Sequence, residues 1–146
     1  MEVGGSTYQN DPNIESQWAI RSIEHAKAHL NLVCSVRDPS TLRLTKMDDA
    51  IYDEFCSHFP ELDVDLICEA KLKSEESKKV WREFCGKFSS QLEDYNFATL
   101  FRLDASKGYS EQNTCIVPRV QFLAIEIARN RRGFNKPEIL RKFECL

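Results

Sequence analysis

A mainly helical domain of about four to five helices, with room for a short β-hairpin and α+β as the alternative, is what this 146-residue chain predicts. Apolar residues recur every three to five positions in the segments that follow Asp11, Thr45 and Ser74, as on a helix with one face in a core. From Pro118 to Gly133 the chain is apolar on nearly every side, the pattern of a helix buried at the centre of a domain. Strand-like alternation is confined to short pieces.

Taken in order, residues 1–10 are polar and glycine-containing and predict a disordered N-terminus. A single globular domain is expected over 11–135, and 136–146 reads as a short C-terminal tail. Asp11-Pro12 has a cap and a first-turn proline, opening a helix to about Cys34 that should bury Trp18, Ile23, Ala26, Leu30 and Val33. After the turn Asp38-Pro39-Ser40, Thr45 and Asp48 stand at capping-box spacing before a second helix. Its stripe is Met47, Ile51, Phe55 and Phe59, stopped by Pro60. Leu62 to Ile67 alternates and predicts a short strand or an extended connector. A third helix starts near Ser74, with Glu75 and Glu76 suited to its first-turn dipole and a core stripe of Trp81, Phe84, Phe88, Leu92 and Tyr95. Residues 97–103 fit a helix or a strand. As a strand they would pair with Thr114–Val117 across the loop Asp104–Asn113. The apolar helix from Pro118 closes on Arg129, Arg131 and Arg132, with Gly133 as its left-handed cap.

The net charge of −3 argues against general affinity for nucleic acid, which needs an excess of Lys and Arg. The charge is polarised, however. Eight acidic residues and no Lys or Arg lie between Asp48 and Glu69, whereas the chain from Val117 holds seven Lys or Arg against three acidic residues. Such separation suits a polar protein partner, self-complementary packing, or two solvated faces. Six cysteines without a signal peptide, several in apolar patterns, predict reduced thiols and a cytosolic setting. No apolar run reaches the length of a membrane span.

Chemistry is sparse. None of the five glycines builds a phosphate-cradling loop, and no Cys-x-x-Cys or His-Glu-x-x-His motif exists. His25 and His29 have the four-residue spacing of a metal pair but lack a third ligand. Cys56 and His58 point to different helix faces, which disfavours a nucleophile–base pair. Glu93, Asp94, Asp104 and Glu126 are the carboxylates to weigh for acid–base work, and ion-pairing with Arg102, Arg119 and Arg129 is the stronger reading for them. No catalytic, cofactor or metal residue is assigned. Arg119, Glu126 and Arg129 lie in one row along the apolar helix, so they must pair internally or face a partner. One arginine suffices to complement a helix C-terminus. Three, with Lys136 beyond, predict an exposed cationic partner surface of Arg129, Arg131, Arg132 and Lys136. The loop residues Tyr109, Glu111 and Asn113 are added to it, because long polar loops in compact domains often carry function.

Several blocks carry a resemblance: residues 10–15, Leu44 to Tyr52, Trp81-Arg82-Glu83-Phe84-Cys85, Thr99 to Asp104, Gly108 to Thr114, and Pro118 to Gly133. Together they are similar to the small eukaryotic polysaccharide biosynthesis domain-containing proteins, over about residues 8–135. Some relatives carry a long charged tail that this chain lacks. The resemblance implies a mainly helical cytosolic domain acting as a dedicated chaperone for the nascent GTP-binding domain of translation elongation factor 1-alpha. Another cytosolic protein is the alternative client. A monomer associated with ribosomes, without direct nucleic-acid or membrane binding, accompanies that reading. The family's descriptive name supplies the rival, a small enzyme or enzyme subunit of polysaccharide or nucleotide-sugar metabolism.

Overall fold

The computed structural model describes residues 12–143, with side chains from residue 15 onward. The Asp11 cap and the expected N-terminal disorder lie outside the described residues. Helix α1, Pro12–Cys34, buries Ala26, Leu30 and Val33 as its spacing predicts. Trp18 is half-buried and donates Nε1 to the Ala98 carbonyl at 3.2 Å. Ile23 does not join this face: it is 49% exposed, because α1 packs on the domain along one side only.

Helix α2, Asp48–His58, begins three residues past Thr45, with Met47 as its N-cap and no side-chain cap of its own. The Asp48 carboxylate accepts from the Leu44 and Thr45 backbone N–H groups at 2.8 and 2.7 Å, and Thr45 Oγ1 accepts from Met47 N at 2.9 Å. That carboxylate is buried and anchors the chain before the helix. The alternating segment after it is an extended connector. It makes a single antiparallel bridge, Leu66 to Asp104, with Ile67 N donating to Leu103 O and Ala105 N to Asp65 O. One-turn helix α3, Glu69–Leu72, leads into α4, Glu75–Gly86, capped by Ser74 Oγ on Ser77 N.

Helix α4 ends at Gly86, earlier than the apolar stripe suggests. Gly86, Ser89 and Ser90 are poor helix formers, and tight turns replace the helix while still delivering Phe88, Leu92 and Tyr95 to the core. Asp94, at φ 54°, turns the chain into strand β1, Ala98–Arg102. Residues 98–102 are thus strand, paired antiparallel with β2, Thr114–Pro118, from Ala98 opposite Pro118 to Arg102 opposite Thr114.

Pro118 hands the chain directly to α5, Arg119–Arg132. Every residue from Val120 to Asn130 is buried, so α5 is the axis of the fold. Helices α2 and α4 pack on it with an aromatic cluster in which Phe59 stacks on Trp81 at 4.1 Å between ring centres. The hairpin covers another side of α5, and α1 packs on β1. Gly133 caps α5 at φ 81°. The chain then forms one-turn helix α6, Pro137–Leu140. The expected tail therefore corrects to a packed segment. Leu140 is fully buried with Leu30 and Val33 of α1, so the fold continues past 135. Six α-helices and one two-stranded sheet make up the described residues, a mainly helical fold with a short hairpin. The helices beyond the expected four or five are the one-turn pieces α3 and α6.

The two helix-end glycines should respond oppositely to alanine. Gly133→Ala forces a side chain into a left-handed conformation and should cost about 1 kcal/mol. Gly86 has ordinary backbone geometry and an added Cβ would meet nothing, so Gly86→Ala should stabilise by roughly 0.5 kcal/mol. Urea denaturation of the two variants reads both signs.

Candidate functional site

The charged row on α5 divides in two. Glu126 and Arg129 are completely buried and meet Arg102 of β1, also completely buried. Arg102 Nη2 donates to both Glu126 oxygens at 3.1 Å, and Arg129 Nη1 donates to Oε2 at 3.0 Å. Asn135, just past the Gly133 cap, donates Nδ2 to Oε1 at 2.9 Å and accepts from Arg102 Nη2 at 2.8 Å. One carboxylate faces two guanidiniums, and backbone carbonyls accept from Arg102 Nη1 and from Arg129 Nε and Nη2, while Arg102 Nε has no hydrogen-bond partner among the described residues. Arg129 donates to Val64 O at 2.7 Å and Leu103 O at 3.0 Å, while Arg102 Nη1 donates to Ala105 O and Lys107 O.

This saturation explains the electrostatics. Burial by itself would raise the Glu126 pKa, but Arg102, then His29 and Arg129, hold it far below the usual carboxylate range. Burial lowers both arginines; Glu126 more than offsets it at Arg102, whereas burial prevails at Arg129. His29 lies 3.7 Å from Glu126, yet burial takes its pKa down to about 4, so it is neutral near pH 7 and forms no ion pair. Tyr109 closes the cluster, with its ring 5.8 Å from the Arg102 guanidinium and its hydroxyl 3.5 Å from His29 Nδ1. Every oxygen of Glu126 is engaged, which leaves it unsuited to proton transfer.

The predicted surface residues distribute unevenly. Arg129 is corrected to the interior: it stands three positions from Glu126 on the buried side of α5. Asn113 is also buried. It closes the 104–113 loop by accepting from Asp104 N at 2.8 Å and donating to Gly108 O and Asp104 O. Tyr109 is half-buried, while Glu111 and Lys136 are exposed. Arg131 and Arg132 reach the outside but are occupied by α2. Arg131 bonds Asp49 at 2.6 Å, and Arg132 bonds the Tyr52 hydroxyl at 3.1 Å, with both guanidiniums over the Tyr52 ring. Part of the charge polarity seen in sequence is therefore consumed inside the molecule, where basic α5 meets acidic α2.

The other candidates resolve as follows. His25 and His29 both lie edge-on against Phe122. No metal-holding cluster of His, Cys, Asp and Glu occurs among the described residues. Cys56 and His58 stay apart, since His58 Nδ1 contacts Glu54 O and Cys56 faces Arg132. Glu93 and Asp94 are exposed. Arg119, expected to pair, has no hydrogen bond or ion pair among the described residues. It lines a cleft of about 460 Å³ with Arg21, Ser22 and His25. Cys56, Cys68, Cys85 and Cys115 are thiols, and burial pushes Cys85 up to about 11. Cys145 lies outside the described residues.

Sequence reasoning passed over a second cleft, of about 500 Å³, where α4 faces Tyr95 and the Pro118 corner. Its walls include Trp81, Cys85 and Gln121, and its basic residues are Lys73, Lys78 and Arg82. The spacing of 78, 81, 82 and 85 along one helix face was the available signal.

The structure thus defines a helical domain wound around a buried, charge-bearing helix, with a two-stranded cover and an extended surface. Residues 14–140 match the family model described as PBDC1 protein. The chain is 55% identical over 130 residues to Protein PBDC1 of Mus musculus, covering 89% of this chain and 65% of the mouse protein. It is 47% identical to the Protein PBDC1 homolog of Saccharomyces cerevisiae, over 88% of this chain and 90% of the yeast protein. With the human Protein PBDC1, at 51% identity, 93% of this chain aligns with 58% of the relative. A solution NMR structure of an S. cerevisiae protein superimposes with a TM-score of 0.77 at 47% identity, over 86% of this chain and 88% of that one. The chain belongs to the PBDC1 family, whose name stands for polysaccharide biosynthesis domain containing 1. It spans less than two thirds of the length of the mouse and human relatives. The relatives' names specify no enzymatic activity.

Two measurements probe the buried cluster. Glu126→Gln strips two buried guanidiniums of their counter-charge and should cost about 3–5 kcal/mol in denaturant unfolding. His29 supplies a pH dependence. Unfolding restores its pKa from about 4 to 6.5, so the unfolded chain binds the extra proton between those values. Its share of stability is complete above about pH 6.5 and is lost on acidification toward pH 4, roughly 3 kcal/mol in all. His29→Gln should flatten that limb of the stability–pH curve. His25, lowered by burial in the same sense, keeps the residual slope.

Proposed function

We propose that this protein is a non-enzymatic protein-binding module, a dedicated chaperone for the nascent GTP-binding domain of translation elongation factor 1-alpha. The observation that carries the reading is the saturation of Glu126. The carboxylate held deepest in the fold is spent on Arg102, Arg129 and Asn135, so the interior charge supports structure and activity falls to the surface. A rigid scaffold with exposed charged clefts suits transient capture of a folding client, where complementary charge speeds encounter. The family resemblance supplies the client. Action in the cytosol as a monomer, near the ribosome and without nucleic-acid or membrane binding, completes the proposal. Among the described residues no helix is long and apolar enough to cross a membrane, which is compatible with it.

The expected partner surface moves with the geometry. Arg131 and Arg132 hold Asp49 and Tyr52, so reversing them disturbs the α2–α5 contact as well as any partner contact. Lys136 and Glu111 remain exposed members of the expected surface.

Translation of the elongation factor's GTP-binding domain in an extract depleted of the endogenous family member tests this reading. Adding the protein back should raise the protease-resistant, GTP-binding fraction several-fold, and an unchanged fraction would refute it. A thermal-shift screen with nucleotide sugars, S-adenosylmethionine and ATP tests the rival enzyme. A saturable stabilisation by one donor would establish that rival instead.

A further inference from the structure

We propose that the cleft beside α4 is a docking groove for an acidic peptide segment that carries one large apolar side chain. This rests on the protein-binding reading and names the chemistry of what is bound. The groove encloses about 500 Å³, enough to take a bulky side chain and a stretch of the chain on either side of it. Trp81, Leu72 and Pro118 give it an apolar lining. Trp81 is held rigid from behind by its stack on Phe59, so that wall needs no reordering on binding.

Charge selects the occupant. Lys73, Lys78 and Arg82 stand around the groove, and no carboxylate among the described residues lines it. In a protein of net charge −3, this all-cationic setting is a local inversion. Lys73 is engaged with the Ile116 carbonyl on the edge of β2. The side chains of Lys78 and Arg82 are exposed and make no hydrogen bond or ion pair among the described residues. They sit one turn apart on the face of α4 that also presents Trp81 and Cys85, at i, i+3, i+4 and i+7. A segment entering the groove therefore meets two uncommitted cations beside an apolar wall. Asn96 and Gln121 add amides able to pair with an extended peptide backbone. Aspartate or glutamate next to Phe, Leu or Met satisfies all three features together.

Gly86 supplies a clean probe. It lines the groove, and a Cβ built on it would meet no atom within 4 Å. Gly86→Phe fills the space without removing a charge or a core contact.

The test is fluorescence anisotropy with a labelled peptide, Asp-Glu-Phe-Glu-Ser-Asp-Glu, added to the intact protein. Saturable binding that weakens as salt rises is expected. Lys78→Glu combined with Arg82→Glu should weaken it roughly tenfold or more. Gly86→Phe should abolish it while the melting temperature stays within a few degrees of wild type. A peptide in which lysine replaces every acidic residue should not bind. Equal binding of that peptide, or undiminished binding to Gly86→Phe, overturns the proposal. So does a short oligouridylate that outcompetes the acidic peptide, or a dimer in sedimentation that Gly86→Phe dissolves. The peptide assay contains no client, which separates the two readings. Absent peptide binding with client folding intact refutes the groove alone. Peptide binding without any effect on client folding refutes the chaperone reading and leaves the groove.

Discussion

Everything in this fold is arranged around the Glu126 carboxylate and the two guanidiniums that embrace it. Through Arg102 it holds strand β1 and the Ala105 and Lys107 carbonyls of the following loop. Through Arg129 it reaches Val64 of the connector and Leu103. Through Asn135 it fixes the turn beyond the α5 cap. Segments far apart in the chain thus share one charge cluster. Isolated, any of these charges would be prohibitive to bury; together they satisfy one another. The cluster constrains geometry more than it adds affinity between elements. A helix rotated by one residue or a strand shifted in register would leave a buried charge without its partner.

This explains why the loop from Asp104 to Asn113 is ordered although its composition is that of a solvated loop. Arg102 draws in two of its carbonyls, and Asn113 bridges its ends. Gly108 packs so tightly on Phe143 that a Cβ there would come within 2.6 Å of that side chain. The loop is therefore part of the scaffold, and Tyr109 belongs to it as the lid of the ion cluster. Features that suggest recognition in sequence are here used to close the fold.

Outside the core, charge follows a different logic. The basic end of α5 lies against acidic α2 and neutralises part of it through Arg131 and Asp49. Among the described residues no carboxylate lines the cleft beside α4, and Lys78 and Arg82 make no hydrogen bond or ion pair. Complementary pairs within the molecule build its shape, whereas unmatched cations around an apolar wall remain available to others. The proposed chaperone activity and the proposed groove both draw on this division.

Local pattern determined much of this protein. The period of apolar residues placed α1, α2 and α4, because one-sided burial imposes a helical repeat whatever lies opposite, and the all-round apolar run placed α5. Capping chemistry fixed the start of α4 and the end of α5 at Gly133, since those hydrogen bonds join residues near in sequence. The row of Arg119, Glu126 and Arg129 announced that charge had to be reconciled with a buried helix. Which charges pair was decided only in three dimensions. Arg102 comes from a strand whose local sequence also fits a helix, and pairing with β2 settles that choice. Arg119 and Arg129, ten positions apart on one helix, meet opposite fates because the packed neighbours differ along its length. The segment after Asn135 reads as a tail until Leu140 finds Leu30 and Val33 on α1. The α4 groove joins a helix face to Tyr95 and Pro118, and no local repeat encodes that meeting. Burial and pairing depend on distance in space, and a sequence states distance only along the chain.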